Sequence, residues 1–298
     1  MPRTTTGRLA RAEARWGYAF ILMPFVGLAL FLVGPLVASG VLSLHDYPLL
    51  GTPRWIGAQN YRQLFLDDTF RAALRNTAIF LLGIPAGMAL SLALAVALNQ
   101  GVRGTVLFRA CYFLPTVTSV VAVSLLWMWL YNPEFGLANA LLQSVGLPGP
   151  AWLQDRFWVY PALILMGIWG GVGISLLLYL AALQAVPRSL LEAATLDGAG
   201  PWQRFRHVVW PLLTPTTFFI AVMSVIGTLQ MFGQIYLMTH GGPDNATVTV
   251  MYYLWQQAFM LNRMGYACAI AWVLGGIIAA ATVAQFRLGR RWVCYADA

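Results

Sequence analysis

EAATLDGAGPWQRF, residues 192–205, is a charged stretch interrupted by glycines that separates two long uncharged runs of the chain. Ser189, followed three residues later by Glu192, has the spacing of a helix-capping box, which predicts that a helix begins there. Gly198 is expected to end that helix, because glycine tolerates the left-handed backbone conformation found at helix C-termini. Pro201 then suits the first turn of a new helix. The stretch is therefore predicted to form two short helices joined by a tight turn.

The runs on both sides of this stretch are long enough to cross a lipid bilayer. Only 9% of the 298 residues are charged, whereas a soluble domain carries about 25%. A crossing helix needs about 20 mostly apolar residues. Six stretches without Asp, Glu, Arg or Lys reach that length, at residues 16–44, 76–102, 110–133, 157–187, 208–243 and 264–286. The predicted fold class is an all-α integral membrane protein with six transmembrane helices.

The arginines are distributed unequally between the two sides of the predicted membrane. With the N-terminus inside the cell, 12 of the 18 basic residues are cytoplasmic: Arg3, Arg8, Arg11, Arg15, Arg103, Arg109, Arg188, Arg204, Arg206, Arg287, Arg290 and Arg291. This is the positive-inside pattern. A seventh uncharged stretch, residues 245–262, would place the C-terminal arginines outside if it crossed, so it is predicted to be an outer segment.

Both termini are therefore expected in the cytoplasm. Residues 1–15 are predicted to be an arginine-rich cytoplasmic tail, and residues 287–298 a second one. Residues 16–286 form the membrane domain, whose loop 187–210 faces the cytoplasm.

Several classes of function are disfavoured by what the sequence lacks. There is no lysine, and a nucleotide-binding P-loop needs one on the phosphates. No catalytic set lies in the predicted crossings, so an enzyme is not expected. Three cysteines suggest neither a disulfide framework nor a metal site. The pI near 9.8 does not indicate nucleic-acid binding, because the arginines are scattered at helix ends.

The charged stretch resembles the signature loop of the membrane subunits of ATP-binding-cassette (ABC) importers. That signature reads Glu-Ala-Ala, three residues, Gly, nine residues, then Ile, any residue, Leu and Pro. The matching positions are Glu192, Ala193, Ala194, Gly198 and Pro211, and Asp197, Ala199 and Pro215 extend the match. Two positions depart from the pattern, with Val208 in place of Ile and Trp210 in place of Leu.

The resemblance covers nearly the whole chain after Arg15. GAQNYRQLFLDDTFRAALRNT (57–77), ALQAVPRSLLEAATLDGAGPWQRF (182–205) and the Gly-Gly-Pro turn at 241–243 are similar to the sugar-importer branch. Within that branch they are similar to the first-permease type, which includes membrane subunits of maltose and glycerol-phosphate importers.

The resemblance implies a type I importer permease fold in a bacterial or archaeal inner membrane. The expected partners are a second homologous permease, two copies of an ATPase, a soluble or lipid-anchored substrate-binding protein, and membrane lipid. ATP and Mg²⁺ are expected on the ATPase, and no cofactor is expected on this chain. The signature loop enters a cleft on the ATPase in this family, so the implied coupling residues are Glu192, Ala193, Ala194, Asp197 and Gly198.

The branch also implies a substrate pathway in mid-membrane. Counting back from the Gly-Gly-Pro turn and from the signature loop gives Trp169, Gly170, Gly171, Ile174, Ser224, Gly227, Thr228 and Met231, with Gln230 and Gln234 as flanking candidates. Hydroxyl groups beside an aromatic ring suit a sugar, expected to be a di- or oligosaccharide. The alternative interpretation is that Ser224 and Thr228 only form hydrogen bonds between helices.

Pairs of glycines four residues apart occur in two of the predicted crossings. Gly83 with Gly87, and Gly167 with Gly171, predict close helix packing rather than a function of their own.

Two other functions stay open from the sequence. An importer for glycerol 3-phosphate or its diesters would be expected to have a buried arginine for the phosphate, and none lies in the predicted crossings. A stand-alone channel would fit six helices, but it would not explain the two-helix loop.

Overall fold

The computed structural model describes residues 5–48, 50–100 and 104–294, and helices make up most of them. In chain order the helices are α1 (Thr5–Leu28), α2 (Gly34–Leu42), α3 (Gln59–Leu66), α4 (Asp68–Phe80), α5 (Gly83–Leu98), α6 (Thr105–Val117), α7 (Val120–Leu130), α8 (Leu137–Ser144), α9 (Val159–Gln184), α10 (Arg188–Leu196), α11 (Pro201–Arg204), α12 (Trp210–Leu229), α13 (Val250–Trp255) and α14 (Met264–Gly289). Wider π-helical turns occupy Ala29–Val33, Phe205–Val209, Ile235–Thr239 and Gln256–Met260. Strands β1 (His45–Asp46) and β2 (Arg54–Trp55) pair antiparallel.

Six crossings are found in the described residues when one bent helix pair is counted as a single crossing. Five unbent spans are Leu9–Leu42, Asp68–Leu98, Val159–Gln184, Pro201–Leu229 and Met264–Gly289. The sixth is formed by α6 and α7, which meet at an angle of 102°. This agrees with the six predicted crossings, and the stretch 245–262 is not among the candidate crossings of the described residues. The side of the membrane on which the termini lie stays a prediction.

The third crossing was predicted as one helix over 110–133. This prediction is wrong in detail, because the chain bends inside the crossing. Pro115 lies in the last turn of α6, where it removes a backbone donor. Thr118 then takes an extended conformation, with ψ of 140°. Ser119 begins the next helix by accepting a hydrogen bond from the Val121 N–H at 3.2 Å. Serine is a favoured N-cap, so α7 starts in a new direction.

Two other predicted boundaries differ from the structure. The second crossing begins at Asp68 rather than at residue 76, since the Asp67 carboxylate caps it by accepting from the N–H groups of Thr69 and Phe70. The fifth crossing ends at Leu229 rather than at 243, because the chain leaves the helical conformation at 230–232.

The described part of the predicted tail 1–15 is helical from Thr5 and continuous with the first crossing. Arg3, Arg103 and residues 295–298 lie outside the described residues. In the other predicted tail, the Cys294 N–H donates to the Thr214 hydroxyl at 2.9 Å.

The chain divides into two compact units, Met1–Leu66 with Gln256–Trp272, and Asp67–Trp255 with Val273–Ala298. In the first unit, the buried Asn60 amide donates to the carbonyl groups of Ser43 and His45 at 2.8 and 2.9 Å. Gly265 fits there only because it has no side chain, since a Cβ would overlap the His45 carbonyl oxygen. These contacts fix the hairpin between the first crossing and α3.

The second unit is built on α9, which packs against α5 and α6. A buried apolar cluster that includes Ala95, Leu176, Tyr179 and Leu213 joins α5, α9 and α12. A Cβ on Gly83 would lie 2.8 Å from Ile164 Cγ2, and one on Gly87 would lie 3.5 Å from Ile168 Cγ1. The prediction that Gly83 and Gly87 mediate close helix packing is confirmed.

The prediction is wrong for the other glycine pair. A Cβ on Gly167 or Gly171 would meet no atom within 4 Å. The close contact of α9 is instead at Gly173, where a Cβ would lie only 2.3 Å from the Tyr112 carbonyl oxygen of α6. The missing side chains at 167 and 171 leave open space rather than a packed interface.

Candidate functional site

A cavity of about 630 Å³ lies in the second unit among α5, α9, α12 and the chain that follows α12. Its polar lining consists of hydroxyl and amide groups, from Ser91, Ser175, Ser224, Thr228, Gln230 and Gln234. Glycines and large apolar residues, including Phe80 and Phe232, make up most of the remainder. Within the described part of the chain, no Asp, Glu, Arg, Lys or His belongs to this lining. The cavity therefore presents uncharged hydrogen-bonding groups between apolar walls.

The helical periodicity of α9 explains which of its residues reach the cavity. Ile164, Gly167, Ile168, Gly171 and Ser175 line it, and their spacing of three or four residues places them on one face. Because the two glycines contribute no side chains, the wall is recessed at this face. Glycine here leaves open volume in the cavity wall.

The wall opposite α9 is a break in the fifth crossing. Helix α12 ends at Leu229, and Gln230, Met231 and Phe232 are not helical before the chain turns again at 233. All three line the cavity. A break at membrane depth frees backbone carbonyl groups, and it is tolerated only where the backbone is buried in protein or lines a cavity.

The structure brings together five of the eight predicted pathway residues. Gly171, Ser224, Gly227, Thr228 and Met231 line the cavity. Their involvement in substrate passage stays a prediction.

Trp169, Gly170 and Ile174 are not among the lining residues. Consecutive helix residues are about 100° apart, so Trp169 points roughly 160° away from Gly171. Its ring instead lies against Trp127 of α7, with centroids 5.7 Å apart. Counting from landmarks located the stretch of α9 that borders the cavity, and the role of Trp169, Gly170 and Ile174 in substrate passage stays a prediction.

Several lining residues were missed from the sequence. Ser91 follows Gly83 and Gly87 at the same spacing of four, and Ser175 follows Gly171 likewise. Each glycine pair is continued one helical turn later by a serine on the same face, so this spacing could have predicted both serines. No sequence signal indicated that Val120, at the bend between α6 and α7, lies on the cavity beside Gly233.

The predicted two-helix loop is present, but its first helix begins differently from the prediction. Helix α10 starts at Arg188 after Pro187, which is extended and provides no side-chain cap. Ser189 is therefore already inside the helix, and the capping box with Glu192 does not form.

The end of α10 is as predicted. Gly198 is left-handed, with φ of 80°, and its N–H donates to the Thr195 carbonyl at 3.1 Å. The Ala199 N–H donates to the Ala194 carbonyl at 2.9 Å. These two bonds form a Schellman motif, the termination that a left-handed glycine allows.

The second short helix is the beginning of the fifth crossing rather than a separate element. Gly200 precedes Pro201, and the Gly200 N–H donates to the Gln203 side chain at 2.8 Å. Helix α11 then continues through the π-helical turn into α12. The Arg204 guanidinium donates to the Thr195 hydroxyl at 3.0 Å and so ties α10 to this helix.

The implied coupling residues lie on the surface of the loop. Glu192, Ala193, Asp197 and Gly198 are exposed, and Ala194 is half-buried. Apolar side chains are exposed beside them: 89% of Leu196 and 68% of Trp202 are accessible. An exposed surface that combines carboxylate groups with large apolar side chains is typical of a docking site for another protein.

Comparison with known proteins supports this architecture. YesP of Bacillus subtilis, a probable ABC transporter permease protein, is 37% identical over 97% of this chain and 94% of its own. LacF of Rhizobium radiobacter, a lactose transport system permease protein, is 34% identical over 97% of this chain and 99% of its own. UgpA of Pectobacterium atrosepticum, an sn-glycerol-3-phosphate transport system permease protein, is 31% identical over 93% of this chain and 95% of its own.

The fold is also that of a solved transporter. The crystal structure of a bacterial ABC transporter that imports the acidic polysaccharide alginate superposes with a TM-score of 0.82 over 95% of this chain and 99% of the other, at 24% identity. Residues 83–292 match the family described as binding-protein-dependent transport system inner membrane component. The chain therefore belongs to this family of multi-pass membrane permeases and is a transport subunit rather than an enzyme.

Proposed function

We propose that this chain forms one membrane-spanning half of an ATP-driven importer for a sugar, delivered as a di- or oligosaccharide. The observation that carries the proposal is the charge-free cavity, whose hydroxyl and amide groups lie between apolar and aromatic walls. Sugars bind through a few hydrogen bonds and through contact of their apolar faces with aromatic rings. The volume of about 630 Å³ is in the range of small-ligand sites. The lactose permease relative supports the same substrate class.

The alternative substrate, glycerol 3-phosphate or one of its diesters, is favoured by the similarity to UgpA. A phosphate is best held by arginine in a fork of charged hydrogen bonds. Arg109 lies in α6 near the start of the third crossing, and its Nε atom is buried without a partner among the described residues. It does not line the cavity. The charge-free lining therefore favours the sugar.

The energy for transport is proposed to come from partner chains. Two ATPase subunits would bind ATP and Mg²⁺, and α10 with its exposed residues would dock on one of them. A second permease would complete the translocation pathway, and a binding protein would deliver the substrate. Two rigid-body states of the helices, biased by nucleotide and binding protein, would give alternating access. A channel would have no use for the exposed coupling loop.

The proposal is tested by purifying the tagged chain from membranes in mild detergent and measuring uptake after reconstitution. We expect copurification of an ATPase and a second permease. ATP-dependent uptake of a radiolabelled sugar such as lactose, which exceeds that of glycerol 3-phosphate, is the expected result. A preparation that conducts solute without ATP would support the channel instead.

Thr228→Val is expected to change sugar preference, because the hydroxyl lies on the cavity. Loss of one hydrogen bond to a bound sugar corresponds to about a threefold to tenfold rise in KM. The measurement is a competition series with lactose, maltose and raffinose in proteoliposomes. Trp169→Phe is the matched control, since Trp169 faces Trp127 and should leave the preference unchanged. Equal shifts in both variants would contradict the assignment of the cavity.

A further inference from the structure

The segment that follows the Gly-Gly-Pro turn contains two threonines and is buried from Ala246 to Val250. We call residues 245–250 the threonine segment. Thr247 and Thr249 have no exposed surface, and Val248 has 1%. Buried hydroxyl groups need partners, because an unsatisfied polar group costs free energy in an apolar environment. The partners of this segment therefore show what it holds in place.

One set of partners comes from α4 and α9. Asn76 of α4, which is completely buried, donates its amide to the carbonyl groups of Asn245 at 2.8 Å and Val248 at 3.0 Å. Its carbonyl oxygen accepts from the Tyr160 hydroxyl of α9 at 2.9 Å. The Val250 N–H donates to the Thr77 hydroxyl at 3.2 Å. The threonine segment is thus fixed to two of the crossing helices.

The other partner is the broken wall of the cavity. The Thr249 hydroxyl donates to the Met231 carbonyl oxygen at 2.8 Å, and it accepts from the Tyr252 N–H at 3.2 Å. Met231 lies in the non-helical stretch that ends the fifth crossing and lines the cavity. Thr249 therefore links a rigidly held segment to the part of the cavity wall that has no helix to support it.

We propose that Thr249 is a positioning residue that sets the shape of the cavity wall and thereby which sugar is accepted. The part of this inference that concerns sugar selectivity rests on the proposed function, whereas the part that concerns the shape of the wall does not. The N–H groups of Gln230 and Met231 donate back to carbonyl groups of α12, whereas the Met231 carbonyl accepts from the Thr249 hydroxyl of the threonine segment. Without the Thr249 hydroxyl, the partly buried Met231 carbonyl loses this donor and the stretch relaxes. Relaxation displaces the side chains of Met231 and Phe232, which both face the cavity.

The test compares Thr249→Val, which has nearly the same shape but no hydroxyl, with Thr249→Ser, which keeps it. The matched control is Thr217→Val, because the buried Thr217 hydroxyl donates within α12 to the Leu213 carbonyl and lines no cavity. The transporter is purified through a tag on this chain and placed in nanodiscs for hydrogen–deuterium exchange of residues 228–236. Proteoliposomes from the same preparation, supplied with ATP and the binding protein, serve for KM and Vmax with lactose, maltose and raffinose.

We expect faster exchange at 230–236 in Thr249→Val only. We also expect an altered order of sugar preference, with a KM change of about threefold to tenfold for at least one sugar and little change in Vmax. Serine should restore both properties. If the valine variant does not accumulate in the membrane, Thr249→Cys replaces it. The thiol is a weak donor, so this variant should show smaller changes in the same direction.

Unchanged exchange in Thr249→Val would overturn the inference. Faster exchange with an unchanged sugar preference would equally overturn it, since the wall would then move without affecting selectivity. A Thr217→Val variant that reproduces both effects would show a general loss of packing and reject the specific role. If the unmodified transporter takes up none of the sugars, the proposed function fails, and exchange alone decides whether Thr249 holds the wall.

Discussion

Gly198→Val is expected to abolish ATP-driven uptake while the protein still inserts in the membrane. Gly198 has φ of 80°, a conformation that a β-branched residue rarely adopts. A Cβ at this position meets no atom within 4 Å, so the cost is backbone strain rather than a clash. Strain of about 2 kcal/mol corresponds to roughly a 30-fold change in an equilibrium. The end of α10 should unwind, and the proposed docking surface for the ATPase would be lost.

The measurement is uptake of labelled lactose by membrane vesicles supplied with ATP and binding protein, together with the membrane level of the chain. Gly198→Asn is the control, because asparagine tolerates the left-handed conformation better than valine. It should retain a substantial part of the activity. Full uptake in the valine variant at a normal membrane level would reject the coupling role of the loop.

Gly173→Ala is expected to destabilise the protein strongly. A Cβ at Gly173 would lie 2.3 Å from the Tyr112 carbonyl oxygen and 2.6 Å from the Thr116 hydroxyl. Because the first of these is a backbone atom, α6 would have to move away from α9. Overpacking of this kind costs about 1–3 kcal/mol or more. We expect a lower melting temperature in detergent and less protein in the membrane.

Gly170→Ala provides the comparison from the same helix. No atom lies within 4 Å of a Cβ at Gly170, and alanine is favoured over glycine in helices by about 1 kcal/mol. This variant should be neutral or slightly more stable, as measured by fluorescence-detected size-exclusion chromatography after heating. If both variants lose the same amount of thermal stability, the close contact between α6 and α9 is not what makes Gly173 necessary.

The membrane-spanning architecture could be predicted because it depends on local composition. An uncharged run of sufficient length enters the bilayer wherever its neighbours lie. The end of α10 was equally predictable, because Gly198 acts through its own backbone conformation. The start of α10 was not, since the helix begins at Arg188, directly after Pro187, and Ser189 is already inside it.

The cavity was only partly predictable, because the same residue types have opposite roles in it. Gly83 lies against Ile164, whereas Gly167 and Gly171 face open space. All three are small residues in membrane helices, and only the neighbouring helix distinguishes contact from cavity. Trp169 illustrates the same point, since it lies in the stretch of α9 that borders the cavity but contacts Trp127 instead of lining it.

By itself, the sequence determined the crossings and the left-handed end of α10, because these follow from the hydrophobicity and backbone preferences of adjacent residues. The tertiary structure alone decided the bend between α6 and α7, the face of α9 on the cavity, and the hydrogen bond from Thr249 to Met231. Thr249 and Met231 are separated by 18 positions. Such a pairing is set by how the helices pack, which no local preference encodes.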